Sequence, residues 1–156
     1  MQKITTYLWF DNQAEEAANF YTSVFKNSRV LEVSRYGEGA ALPAGTAMTV
    51  RYELDGQEFI ALNGGPQFKF TEAISLYVDC GDQAEVDYFW DRLVDGGEPS
   101  QCGWLKDRYG LSWQIIPREL PALLTDPDPE KAQRALQAMF TMSKIDIEAI
   151  RKAHQG

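Results

Sequence analysis

From Ile4 to Phe10 apolar and β-branched residues alternate with the period of a strand. Between 13 and 25 the spacing changes. Ala14, Ala17, Ala18, Tyr21, Val24 and Phe25 recur every three or four positions, which predicts an amphipathic helix. Asp11-Asn12 offers its N-cap, and Glu15 and Glu16 place negative charge in the first turn, where the helix dipole favours it. Three strands are predicted next, over 29–36, 46–54 and 57–62. Asp55-Gly56 supplies the left-handed pair that a two-residue type I′ hairpin needs. Gly37 to Gly45, with Pro43, is a loop, and Asn63-Gly64-Gly65-Pro66 breaks the chain again.

The order then restarts. Residues 74–80 form a strand, Asp82 caps a helix over 83–95, and Gly96-Gly97 ends it. Residues 98–101 leave room for one short strand. The stretch 102–117 reads strand, turn, strand: Trp104 and Leu105 suit a pleated surface, Asp107-Arg108-Tyr109-Gly110 supplies the turn, and Pro117 stops the second strand. Asp107 is expected to bond its own backbone. Alternation puts Ser112, Gln114 and Ile116 on one face, Trp113 and Ile115 on the other. Gln114, set among apolar neighbours, needs a polar partner or a wet cavity. Beyond 120 the pattern is helical, punctuated by Pro121, Pro127 and Pro129. Asp126 or Asp128 caps a helix with proline in its first turn, and 130–142 align Ala132, Ala135, Leu136, Met139 and Phe140. Ser143 is expected to cap a last short helix with Ile147 and Ile150 inward. Such an extension packs on its own domain or on a second subunit.

The chain's 156 residues suffice for one domain, or two small fused modules, with a proper core. Fifteen basic residues against 23 acidic ones leave a net charge of −8, the opposite of the basic face that a duplex nucleic-acid binder needs. No basic amphipathic stretch suits a membrane surface, no apolar run is long enough to span a bilayer, and the first residues lack the pattern of a leader. Two cysteines, Cys80 and Cys102, are too few for a disulfide framework, so a reducing cytoplasm is expected.

Particular words in the chain carry a resemblance. They are Trp9-Phe10 followed by Ala14-Glu15-Glu16-Ala17 and Phe20-Tyr21; Ala61-Leu62-Asn63-Gly64-Gly65-Pro66; Ser75 to Cys80 with Gln83 and Trp90; and Cys102-Gly103-Trp104-Leu105-Lys106-Asp107 through Trp113-Gln114. Over residues 3–120 the chain resembles the vicinal oxygen chelate superfamily of glyoxalase I, extradiol dioxygenases and bleomycin-resistance proteins. Within it, the resemblance is to the PhnB-like branch labelled 3-demethylubiquinone-9 3-methyltransferase domain. It implies an α+β fold of two βαβββ modules, near 1–65 and 70–117 in a domain of 1–120. Their sheets would form a curled sheet around a cleft, with 121–156 as a helical extension, in a homodimer.

In metal-using members of that superfamily, four cleft-facing strand residues, typically two histidines and two carboxylates, hold a divalent ion. The matching positions fall near Thr5, at Ala61 or Asn63, at Ala73 or Ser75, and at Gln114. A catalytic zinc or iron site wants about three converging His or carboxylate ligands. None of these positions supplies one, and the single histidine, His154, lies in a tail expected to fray. No metal and no cofactor are therefore expected.

What remains is a cavity lined by Tyr7, Trp9, Asn63, Ser75, Tyr77 and Gln114, with Cys102 and Trp104 at its mouth. Aromatic walls with a few amides and hydroxyls suit a small, flat or partly apolar organic molecule. The other reading is that these side chains fill the trough by themselves. Cys102 lacks a histidine base and reads as structural, and Cys80 as core. The acids of Glu15-Glu16 and Asp87-Asp91 read as solvated helix surface. Asn63-Gly64-Gly65-Pro66 leads to Phe68 and Phe70, not to the helix that follows a methyl-donor-binding loop. The expected function is small-molecule binding by a metal-free protein. The alternatives are a lyase or isomerase of the glyoxalase type, a methyltransferase as the branch is labelled, or a partner-binding role through the tail.

Overall fold

Strand β1 (Thr6–Phe10) feeds helix α1 (Ala14–Val24), and β2 (Arg29–Arg35), β3 (Ala47–Leu54) and β4 (Gln57–Asn63) follow. They form a sheet in the order β1-β4-β3-β2, with β1 and β4 parallel and the other neighbours antiparallel. The same plan recurs: β5 (Ser75–Cys80), α2 (Gln83–Val94), β6 (Glu98–Pro99), β7 (Trp104–Lys106) and β8 (Ser112–Pro117) give the order β5-β8-β7-β6. The protein, here a computed structural model that describes residues 2–156, is thus α+β, with two four-stranded mixed sheets of one topology. It divides into two compact units, one ending at Phe70 and one spanning Thr71–Gly156.

In the first unit, α1 lays Ala14, Ala17, Ala18, Tyr21 and Val24 on a sheet face made by Leu8, Phe10, Val50, Tyr52, Phe59 and Ala61. The alanines let helix and sheet approach closely. Tyr21, Tyr52 and Phe59 stack in sequence, with ring centroids 6.4 and 5.7 Å apart. Each such buried ring contributes about 2–3 kcal/mol of apolar burial. Asp55 and Gly56 have φ of 49° and 83°, as the expected hairpin requires.

The cap of α1 is a correction to the sequence reading. Neither Asp11 nor Asn12 supplies it: Gln13 stands at the N-cap and makes no side-chain bond. Asn63 does the work from the far end of β4, accepting from the Ala14 nitrogen at 2.8 Å and donating to the Ala47 carbonyl at 2.9 Å.

In the second unit, α2 packs Val86, Trp90 and Leu93 on the face of Leu105, Trp113 and Ile115. Asp82 caps α2 as expected, accepting from the Glu85 nitrogen at 2.9 Å. Asp107 is 2% exposed and accepts from the Tyr109 and Leu111 nitrogens, closing the turn as foreseen. Its second oxygen takes the Trp113 indole N–H at 2.9 Å, which ties the turn to the core.

The C-terminal segment belongs to this second unit. It holds α3 (Leu120–Leu124), unforeseen because its five residues are too few for a period to register, then α4 (Pro129–Phe140) and α5 (Ile147–Gln155). Ile116, Leu120, Ala135, Ile145, Ile147 and Ile150 form one buried cluster. Asp128 caps α4, but Asp146 rather than Ser143 caps α5, because the chain enters the helix three residues later than the pattern suggests. His154 is anchored, contrary to the expected fraying: its ring lies 2.9 Å from Asp126, and Arg134 bonds its carbonyl. No helix of the described residues is long and apolar enough to cross a membrane.

Candidate functional site

Each sheet has one face under its own helix and one face turned away from it. In the first unit Tyr7 and Trp9 stand on the second face, in register with Ile60 and Leu62 of β4. Tyr7 is 59% exposed. Trp9 is held: its indole N–H bonds the Gly65 carbonyl at 2.9 Å, and Phe68 meets its ring edge-on at 4.9 Å. Any Cβ at Gly64 would overlap that ring, so glycine is what lets the chain fold over it. Asn63 pairs with Phe10 in the register and lies on the helix-covered face, away from Tyr7 and Trp9. It is 1% exposed and both ends of its amide bond backbone, so it braces the first unit and has no surface for a ligand.

The second unit gathers Ser75, Tyr77, Trp104 and Gln114 on one face. The register aligns Tyr77 with Gln114 and Gln114 with Trp104, giving an unbroken row across β5, β8 and β7. The adjacent row runs through all four strands as Ser75, Ser112, Lys106 and Glu98. Gln114 links the two rows by donating Nε2–H to Ser75 Oγ at 2.9 Å. That answers the requirement for a polar partner, while its Oε1 accepts nothing among the described residues. Tyr77 is 53% exposed, and Trp104 and Gln114 are half-buried. Burial, with the neighbouring Asp79 adding to it, pushes the Tyr77 phenol above its ordinary range.

Beside these rows lies a depression of about 150 Å³ whose lining includes Glu72, Glu98, Trp104, Lys106 and Ser112. The Lys106 ammonium is paired with Glu72 and lies 4.0 Å from Glu98. The hydrogen bond from Lys106 holds the Glu72 carboxyl below the usual carboxylate range and raises the lysine in turn. Ser112 is 1% exposed, and its hydroxyl has no hydrogen-bond partner among the described residues. The sequence reading missed Ser112, Lys106, Glu72 and Glu98. Strand alternation already placed Ser112 beside Gln114, whereas Glu98 joins only through the cross-strand register and Glu72 only through its ion pair with Lys106.

Cys102 lies in a tight turn rather than among these rows. It has φ of 59° and Gly103 φ of 85°, and their nitrogens bond the carbonyls of Met142 and Ser143 at 2.9 and 2.8 Å. The C-terminal segment therefore clamps the turn that leads into Trp104. Gln83 tightens the same clamp, donating to the Ile145 carbonyl and accepting from the Ile147 nitrogen. Lys144 reaches Asp87 at 2.9 Å, so Asp87 is engaged rather than simply solvated. Glu15 likewise meets Arg35 in a two-point pair. Burial pushes the Cys80 thiol up to about 12, leaving it inert.

A divalent ion does not fit this donor set. Asn63 is bound to backbone at both ends, Gln114 and Ser75 bond each other, and Ala61 and Ala73 have no donor. Among the described residues no three His, Cys, Asp or Glu side chains gather where they could hold a metal ion. Nor does a methyl-donor cradle fit at Gly64-Gly65, because both nitrogens are already bound, to the Phe10 and Asp11 carbonyls.

Residues 2–116 match the family described as 3-demethylubiquinone-9 3-methyltransferase. The structure of the PhnB protein from Bacillus cereus is 40% identical over 74% of this chain and 99% of its own, with a TM-score of 0.70. A structure of a protein from Pseudomonas aeruginosa shares the fold at 19% identity, over 75% of this chain and 98% of its own, with a TM-score of 0.63. No curated protein matches the chain. The residues after 116, which include all three helices of the C-terminal segment, lie outside the family match.

Proposed function

Because the chain belongs to the family described as 3-demethylubiquinone-9 3-methyltransferase, the PhnB-like branch of the vicinal oxygen chelate superfamily, we propose that it is a metal-free binding protein for a small, partly apolar organic molecule. The helix-free sheet face of the second unit is the proposed binding surface. The observation that carries this reading is the row Tyr77, Gln114 and Trp104, two rings flanking an amide with a spare acceptor. Rings supply apolar contact and stacking, and a fixed amide supplies direction. The bond to Ser75 orients Gln114 before any ligand arrives, which lowers the entropy cost of binding. Tyr7, an aromatic residue that the first unit leaves exposed, is proposed as a ligand contact of that unit.

The donor set of amides and hydroxyls supports a binder over a metal-dependent lyase or isomerase. The bound nitrogens of Gly64 and Gly65 argue against that pair as a methyl-donor loop. The protein is proposed to act as a homodimer, and to do so in the cytoplasm, the second part being in keeping with its two unpaired cysteines. Thermal unfolding of the full chain against a panel of uncharged aromatics tests the function. A ligand at 100 times its Kd adds about 2.7 kcal/mol of stability, and Gln114→Ala is expected to abolish the gain. One tightly held transition ion per chain, or methyl transfer from S-adenosylmethionine, would overturn it.

A further inference from the structure

We infer that the depression beside Trp104 is a subsite for one uncharged, hydroxyl-bearing ring of phenol size, with the buried Ser112 hydroxyl as its hydrogen-bond partner. The inference rests on the binding reading above and names the ligand group that this face selects.

The first observation is Ser112 itself. Ser112 lines the depression, and its hydroxyl is buried with no partner among the described residues. A buried polar group left unpaired is costly, and alanine would fill the same place without that cost. A hydroxyl kept there has a partner to supply from outside, and as both donor and acceptor it matches another hydroxyl.

Size is the second. About 150 Å³ is enough space for a single benzene ring. Trp104, half-buried, lines the depression and brings an aromatic side chain to such a ring.

Charge is the third. The Lys106 ammonium is flanked by Glu72 and Glu98, so these three groups sum to one negative charge. An incoming carboxylate would compete with Glu72 for the same ammonium and face Glu98 as well. An incoming ammonium would compete with Lys106 for the same two carboxylates. A neutral hydroxyl meets neither penalty: it can accept from Ser112 or donate to it while the Lys106–Glu72 pair stays closed. Ser112 sits directly beside Lys106 in the strand register, so a hydroxyl bonded to it would lie next to the closed pair.

Titration of the full chain with phenol, toluene and benzoate tests the inference. Phenol is expected to bind about tenfold tighter than toluene, the worth of one net hydrogen bond, and tighter than benzoate. Ser112→Ala is expected to erase the preference for phenol over toluene while leaving toluene affinity unchanged. Equal affinities for phenol and toluene in the unaltered protein would overturn the subsite, and so would a preference that survives in Ser112→Ala. If benzoate binds tightest, the charge argument fails and the subsite with it. Should Gln114→Ala abolish binding of all rings while Ser112→Ala changes nothing, the subsite is wrong and the sheet-face reading stands. Should none of the three bind the unaltered protein, both fall together.

Discussion

The side-chain oxygen of Asn63 lies 2.8 Å from the backbone nitrogen of Ala14, so the last residue of β4 caps the first helix across a separation of 49 residues. The same amide donates to the Ala47 carbonyl, and one side chain thereby fastens helix, strand end and loop. Asn63→Ala would strand a buried donor and a buried acceptor. The expected loss is about 3 kcal/mol, read from the urea midpoint, with ring binding to the second unit unchanged.

Gly64→Ala would drive a methyl group into the Trp9 ring. The expected outcome is a loss of about 2 kcal/mol with a red shift in tryptophan emission, as the indole leaves its bond to the Gly65 carbonyl. An unchanged spectrum with unchanged stability would contradict the seat described for Trp9.

The C-terminal segment acts on the site through backbone bonds. Ile145 is fully buried, and a Cβ built on Gly103 would lie 3.0 Å from it, so this side chain packs on the clamped turn. Ile145→Ala is expected to cost about 3 kcal/mol, and to weaken ring binding by loosening the approach to Trp104. Chemical denaturation and a phenol titration of the same variant read both effects.

Cys80 gives a pH dependence with a definite sign. Burial raises its thiol from an ordinary 9.0 to about 12, with Glu85 and Asp79 adding to the effect. The neutral thiol is favoured in the fold. Its contribution to stability is complete below pH 9.0 and is lost as the pH rises towards 12. At pH 8 an alkylating reagent is expected to leave Cys80 unmodified until the protein unfolds, and peptide mass mapping reads this.

Ser112→Ala removes an unpaired buried hydroxyl. The free protein is expected to stay as stable or to gain about 1 kcal/mol, measured by thermal unfolding. A loss above that size would mean the hydroxyl has an internal partner.

Much of this was written in the local pattern. The two strand–helix–strands units, the Asp82 cap, the Asp107 turn and the division of Ser112, Gln114 and Ile116 from Trp113 and Ile115 all depend on neighbours in sequence, where alternation and turn chemistry are decisive. What escaped depends on distance. The cap of α1 comes from β4, so no residue near Ala14 announces it. Asn63 follows the same alternation as Gln114, but only the parallel register of β1 on β4 puts it beside Phe10 and apart from Tyr7 and Trp9. Glu98 and Lys106 become neighbours only through pairing of β6 with β7. The pattern alone leaves the tail to pack on its own domain or on a second subunit, because its anchors, Gln83 and the Cys102–Gly103 turn, lie far upstream.

The central claim is that the helix-free face of the second sheet holds a small ring, and backbone amide shifts of the labelled protein titrated with phenol test it most directly. Perturbations gathered at Ser75–Tyr77, Trp104–Lys106 and Ser112–Gln114, saturating together, are the predicted result. Shifts that cluster on the first unit, or none at all at millimolar phenol, would contradict it.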